Sequence, residues 1–329
     1  MKNDILFLFL SFILITACGE HPQQDETTAT AQQLIADDNS RKEAAAQDVV
    51  LLADSSFRKT YNFATPDQTF PLPGALVEIS GLSYYPTDNQ LLAINDEIGL
   101  LYYINPESGK VEDTARFGNN GDYEGIEYIG EKICITKSNG DLYFYNTQNG
   151  KTEDVLKTKF NSSNDVEGLA YDQNKNELLV ACKGNPNIGD TDKYKKEKNI
   201  YRYDLRKKEI EKKPLLNVED DDSEDFVKKH GKKLDLSKSA LKKLRNRAKD
   251  FSPSGIAIHP TSGDYYVISS QGKTLMIFDR EKDLRAIVFL DAGIHRQPEG
   301  ICFTPDGTLY ISNEGKGLGA RLMKFLLAE

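Results

Sequence analysis

Five times along the chain a short phrase returns: a polar residue, a glycine, then a branched aliphatic residue. The copies are Ile79-Ser80-Gly81-Leu82, Tyr123-Glu124-Gly125-Ile126, Val166-Glu167-Gly168-Leu169, Pro253-Ser254-Gly255-Ile256 and Pro298-Glu299-Gly300-Ile301. Each opens a strand-like run. Gly81, Gly125 and Gly168 are separated by the roughly 40–50 residues that one four-stranded β unit occupies. Gly255 and Gly300 keep the step, and only the interval from Gly168 to Gly255 is about twice as long. A unit of this size cannot cover both faces of its own sheet, so such units stack on one another.

Within the units the runs are short and separated by turn residues. In the first, Ile79 to Tyr85, Gln90 to Asn95, Gly99 to Ile104 and Lys110 to Phe117 are broken by Pro86-Thr87-Asp88-Asn89 and by Asn105-Pro106-Glu107-Ser108-Gly109. The second unit repeats the plan from Gly125, the third runs from Glu167 to Val218, and the fourth covers Ser254 to Asp291. The fifth begins at Glu299 and meets the chain end after only three runs. A ring of blades must close or leave an edge exposed. The stretch from Lys59 to Leu72 can supply the missing outer strand. The pattern therefore predicts an all-β, five-bladed β-propeller closed by an N-terminal strand. Six blades is the alternative, should the long interval hide a degenerate one.

That interval does not read as a blade. Glu219 to Asp225 is acidic, and Val227 to Lys249 is basic with Leu234, Leu236, Leu241, Leu244 and Ala248 at partly helical spacing. Ser237 is a plausible N-cap. The expectation over 219–250 is an insertion of one or two exposed amphipathic helices. Its basic face either docks an acidic partner or lipid headgroups, or is satisfied by the acidic lead.

The chain start reads as an address. Lys2 precedes an apolar run from Ile5 to Ile15, too short to span a bilayer, which ends in Ile15-Thr16-Ala17-Cys18-Gly19. Small residues before a cysteine at that point match a lipoprotein signal over 1–18, with the lipid on Cys18. Such an anchor holds the protein to a membrane without spanning it. Gly19 lacks the Asp that marks inner-membrane retention, so the outer membrane is expected. Residues 19–56 are poor in large apolar groups and read as a flexible tether. The propeller then runs from Phe57 to the C-terminus. A net charge of −9 does not point to nucleic-acid binding, which needs a basic face, and no nucleic-acid partner is expected. Cys134, Cys182 and Cys302 fall in strand patterns and read as buried apolar residues.

Chemistry is expected at one end of the ring. The first strand of each blade lines the central channel, and its start shares a rim with the end of the second strand. Those ends are polar: Asn95-Asp96-Glu97, Lys137-Ser138-Asn139, Lys183-Gly184, Ser270-Gln271 and Asn313-Glu314. Alternation puts Glu124, Ile126 and Tyr128 on one side and Gly125 on the other. Glu124 should face Lys137 or Ser138, Glu167 should face Lys183, and Glu299 should face Glu314. One reading is a binding site at the channel mouth made of Asp96, Glu124, Lys137, Glu167, Lys183, Glu299 and Glu314. Glu124, Glu167 and Glu299 would suit a hard cation such as Ca²⁺. The other reading is structural: each Glu accepts backbone N–H bonds from the next blade and pairs with a lysine. Of the histidines, only His295 falls near this rim.

Glu78-Ile79-Ser80-Gly81-Leu82, Asn95-Asp96-Glu97-Ile98-Gly99, Tyr123-Glu124-Gly125, Val166-Glu167-Gly168-Leu169 and Gln297-Pro298-Glu299-Gly300 together resemble the SdiA-regulated family. The resemblance covers roughly Phe57 to the C-terminus, and the helical segment departs from it. It implies a periplasm-facing propeller, and its phytase-like and lactonase-like relatives often hold Ca²⁺ near the axis. No catalytic residue carries over. The leading expectation is a lipid-anchored propeller that binds a ligand or protein partner at its mouth without catalysis. The runner-up is a Ca²⁺-dependent hydrolase of a phosphoester or lactone, with Asp96 or Glu314 as general base. The third is an envelope scaffold acting through the basic insertion.

Overall fold

The computed structural model describes residues 49–58, 61–189 and 192–328. Two strands precede the repeats, β1 (Val50–Ala53) and β2 (Gln68–Pro71). Blade 1 is β3 (Ile79–Tyr85), β4 (Gln90–Asn95), β5 (Leu100–Ile104) and β6 (Val111–Arg116). Blade 2 is β7 (Tyr123–Tyr128), β8 (Lys132–Lys137), β9 (Leu142–Asn146) and β10 (Lys151–Leu156). In blade 3, β11 (Val166–Asp172), β12 (Glu177–Cys182) and β13 (Glu197–Asp204) are followed by a divided outer strand. Its halves, β14 (Glu209–Ile210) and β15 (Leu216–Glu219), both pair with β13. Blade 4 is β16 (Ser252–Ile258), β17 (Tyr265–Gln271), β18 (Thr274–Phe278) and β19 (Leu284–Phe289). Blade 5 is β20 (Pro298–Phe303), β21 (Leu309–Asn313) and β22 (Arg321–Phe325).

The ring is a five-bladed propeller, and it closes as the repeat count requires. β2 pairs antiparallel with β22, so Gln68–Pro71 is the outer strand of the last blade. The motif glycines show how the blades meet. A Cβ on Gly81 would touch Ile126, one on Gly125 would touch Leu169, and one on Gly168 would touch the backbone of Gly255. One on Gly255 would meet Glu299 and Ile301, and one on Gly300 would meet Leu82. The contacts run from blade 1 through blade 5 and back to blade 1. Each small residue receives the neighbour's bulk, which is how twisted sheets interdigitate at native density.

Two expectations are corrected. The flexible tether expected over 19–56 is shorter, because Val50–Ala53 is a strand that pairs with β19 and makes blade 4 five-stranded. Leu52 is fully buried there. An apolar run of four residues is enough to extend an open edge, and extension offsets its ordering cost. The second correction concerns the insertion. It is two helices, Asp220–Gly231 and Lys238–Lys249, and Ser237 caps the second by accepting from the Ala240 amide. They are not an exposed decoration. Val227, Leu244 and Ala248 belong to one core cluster with Leu52, Val218, Met276 and Phe289 of blades 3 and 4. Buried Glu224 holds Lys228, Arg245 and Lys249, and Arg247 donates to the carbonyls of Gly272, Lys273 and Leu290. Much of the basic face is thus spent inside the molecule.

Cys134, Cys182 and Cys302 are free and buried, as their strand settings imply. Cys18 and the signal, together with the tether up to residue 48, lie outside the described residues. Among the described residues no helix is long and apolar enough to cross a membrane.

Candidate functional site

All five leading polar residues reach the same place by the same device. In every blade the register between first and second strand slips at this residue. Ile79 pairs with Asn95 but Gly81 with Ile94; Tyr123 with Lys137 but Gly125 with Thr136; Val166 with Cys182 but Gly168 with Ala181. The same slip occurs between Pro253 and Gly255 and between Pro298 and Ile301. Each is a β-bulge, and a bulge re-aims the extra side chain. Simple alternation therefore does not continue from Ile126 back to Glu124. Ser80, Glu124, Glu167, Ser254 and Glu299 instead line the axial channel, with the glycine and aliphatic residue of each motif beneath them. The space among them is about 10 Å³, which is room for one water molecule.

The serines of this ring are structural. Ser80 donates to the Tyr123 carbonyl at 2.7 Å and Ser254 to the Pro298 carbonyl at 2.8 Å, each binding the next blade. The glutamates cannot donate in that way when ionised. Glu167 accepts from Lys183 Nζ at 2.7 Å, so the expected pairing of these two is present. Glu124 has no hydrogen-bonding side chain against it among the described residues. Burial, then Glu167, Asp122 and Glu299, hold its carboxyl far above the ordinary carboxylate range. Burial also raises Glu167, while Lys183 pulls it back. Glu299 is pushed up to about 8 by burial, with Glu167 and Glu314 adding repulsion. At neutral pH the mouth thus keeps protons on carboxyl groups and has one strong ion pair.

A second ring surrounds the first. Asp96, Ser138, Lys183 and Glu314 hold equivalent positions just past the second strand. Their amides donate to Glu78, Asp122, Asp165 and Gln297, one residue before the inner strand. The carbonyls of Asp96 and Ser138 then accept from Tyr123 and Val166 of the next blade. Burial raises Asp96 to about 6, with Glu78 and Glu314 contributing, and its Oδ1 has no hydrogen-bond partner among the described residues. Burial also raises Glu314, which lies 3.7 Å from Lys316.

Lys137 does not join the mouth. It is one residue short of the equivalent position, so its side chain leaves by the other face. Its ammonium lies 4.9 Å from the Tyr123 ring centroid and 5.6 Å from that of Tyr143. Ser138 bonds Asp122, leaving Glu124 facing neither of its expected partners. His295 is fully buried and stacked on Phe325, and neither ring nitrogen is hydrogen-bonded among the described residues. Among the described residues no three His, Cys, Asp or Glu side chains are gathered closely enough to hold a metal ion.

One inner-strand carboxyl was not anticipated from the sequence. Glu127 accepts from Ser83 at 3.1 Å, and burial lifts its carboxyl to about 8. Its position carries Ser83, Ala170, Ala257 and Cys302 in the other blades. A single charged residue in a register of small ones is the signal that marks it.

A closed ring of five blades with a polar mouth at the starts of its inner strands defines a β-propeller. The chain belongs to the SdiA-regulated family, whose model matches residues 53–316. No curated protein sequence matches it. The structure of Myxococcus xanthus glutaminyl cyclase is similar at a TM-score of 0.52 and 12% identity, over 80% of this chain and 97% of that one. A luciferin-regenerating enzyme follows at 0.48 and 12%, over 80% of this chain and 95% of that one. At such identity the likeness concerns the fold alone.

Proposed function

We propose that the chain is a lipid-anchored envelope propeller that binds a cation-bearing ligand or a cationic partner segment at its channel mouth, without catalysis. The observation that carries this reading is the state of Glu124. It lines the axial channel together with Glu167 and Glu299, burial and these like charges raise its carboxyl, and among the described residues no cation pairs with it. An incoming amine or guanidinium would take the place of that proton and be held by Glu124, Asp96 and Glu299. Because the channel itself has room for one water, the ligand would sit on the mouth rather than thread the ring.

The chemistry of the donor set argues against Ca²⁺ between Glu124, Glu167 and Glu299. Ca²⁺ takes about six to eight oxygen ligands. Here the Lys183 ammonium already lies against Glu167 and within reach of Glu299, where a cation would stand. The hydrolase reading draws on Asp96, whose raised value near 6 suits a general base. The scaffold reading loses Arg245, Arg247 and Lys249 to internal contacts. It would act through the Lys242 and Lys243 side.

Titration calorimetry with spermidine tests the reading. Binding with release of about one proton, read from the buffer dependence of the heat, is expected, and Glu124→Gln should abolish the proton release. Calcium chloride giving the larger, saturable heat would turn the assignment to the hydrolase. Absence of heat from either would end the mouth-site proposal. For the anchor, Cys18→Ala should move the protein from the membrane fraction to the soluble one. Unchanged membrane attachment would contradict it.

A further inference from the structure

The inner strands have a second end, and it is built for different chemistry. Three residues past each motif glycine stand Tyr84, Tyr128, Tyr171, Ile258 and Phe303. Four of the five, Tyr84, Tyr171, Ile258 and Phe303, line one cavity of about 400 Å³. They come from blades 1, 3, 4 and 5, so the cavity lies across the axis at the end opposite the carboxyl mouth. Its volume falls within the range of roughly 300–1,000 Å³ that encloses small organic ligands. The mouth, by contrast, offers about 10 Å³.

The walls are fixed before any ligand arrives. The Tyr84 hydroxyl donates to Asn89 Oδ1 and the Tyr171 hydroxyl to Asn176 Oδ1, both at 2.9 Å. Both asparagines adopt positive φ in the turn after the inner strand, which Asn tolerates better than most residues. His259 is buried, with Nε2 3.0 Å from the Tyr61 hydroxyl and Nδ1 accepting from the Thr261 and Ser262 amides. Phe303 packs edge-on against Tyr266 and His259.

Charge at the rim is unequal. Asp172 is taken by Lys175 at 3.2 Å and by the amide of Asn174. Arg280 has no ion pair or hydrogen bond among the described residues. Its side chain lies flat over Gly263, where a Cβ would come within 2.1 Å of Arg280 Nε. Gly263 has φ +73°, so two constraints exclude a side chain there. An aromatic and aliphatic floor with one unspent guanidinium at its edge fits a planar hydrophobic ring bearing a carboxylate. We infer that this cavity is a second ligand site, independent of the mouth, for aromatic carboxylates.

The probe is 2-naphthoate, with 2-naphthol as its uncharged counterpart, titrated into the full-length protein. One-to-one binding of 2-naphthoate is expected, with 2-naphthol weaker. Arg280→Gln should weaken 2-naphthoate about tenfold and leave 2-naphthol unchanged. Arg280 is exposed, so this variant should fold, and an unchanged melting temperature verifies that. Tyr171→Ala should weaken both compounds. Glu124→Gln, at the other end, should change neither. No saturable binding of 2-naphthoate would overturn the inference. So would equal affinity for both compounds, or affinities indifferent to Arg280→Gln and Tyr171→Ala.

Discussion

The two ends of the axial channel are made by the same five strands, yet share almost no chemistry. At one end a bulge turns Ser80, Glu124, Glu167, Ser254 and Glu299 onto the axis, and Glu167 pairs with Lys183. At the other, where the strands run without a bulge, alternation delivers Tyr84, Tyr171, Ile258 and Phe303 to an open cavity. Between them the glycines let the blades close until one water's worth of space is left. A repeat can therefore hold its packing residues constant in the middle while its ends diverge. Each end then has its own electrostatics: strained carboxyls at the mouth, satisfied polar groups and one spare cation below.

The most disruptive way to test this separation is to strike the middle. A Cβ on Gly255 would sit 2.3 Å from the Glu299 carbonyl oxygen, in backbone that cannot yield cheaply. Gly255→Ala should cost about 3 kcal/mol by denaturant unfolding. A loss under about 1 kcal/mol would mean that the blades slide freely past one another.

A smaller effect, confined to the mouth, follows from removing its cation. Lys183→Met leaves Glu167 buried with only like charges near it. About 2 kcal/mol of stability should be lost at pH 8, and little at pH 5, where Glu167 is protonated. An equal loss at both pH values would show that Lys183 contributes by packing alone.

The mouth should also set the pH dependence. Glu299 has a folded value of about 8 against an ordinary 4.5. Between those values the folded protein binds more protons than the unfolded chain, so stability falls as pH rises. The melting temperature should therefore drop from pH 5 to pH 8, and Glu299→Gln should flatten the slope. Tyr171→Phe, at the aromatic end, should leave the slope as it was. The smallest effect belongs to the serines: Ser254→Ala removes one bond to the next blade and should cost about 1 kcal/mol.

Much of this was readable from the repeats. The glycine phrase marked all five inner strands, and the missing strand of the last blade led to Gln68–Pro71 within the expected Lys59–Leu72. The Glu167–Lys183 pair followed from strand-end arithmetic. What escaped was whatever depends on one residue of register. Alternation alone cannot reveal a bulge, so it sets Glu124 against Lys137 or Ser138, whereas Lys137 leaves by the other face and Ser138 bonds Asp122. Val50–Ala53 was hidden in an Ala- and Gln-rich stretch, because its pairing edge comes from blade 4, far along the chain. The insertion read as amphipathic helices, but periodicity does not say what an apolar stripe will meet. Here Val227 and Leu244 meet blades 3 and 4.

The central claim is that burial and mutual repulsion keep mouth carboxyls protonated at neutral pH. Carboxyl ¹³C chemical shifts of Glu-labelled protein, followed from pH 3 to pH 10 and assigned with Glu124→Gln and Glu299→Gln, test it directly. Three resonances still protonated at pH 7 are the predicted result, one lost in Glu124→Gln, one lost in Glu299→Gln, and the third, from Glu127, kept in both. If every glutamate titrates near the ordinary value of about 4.5, the crowded mouth described here does not exist.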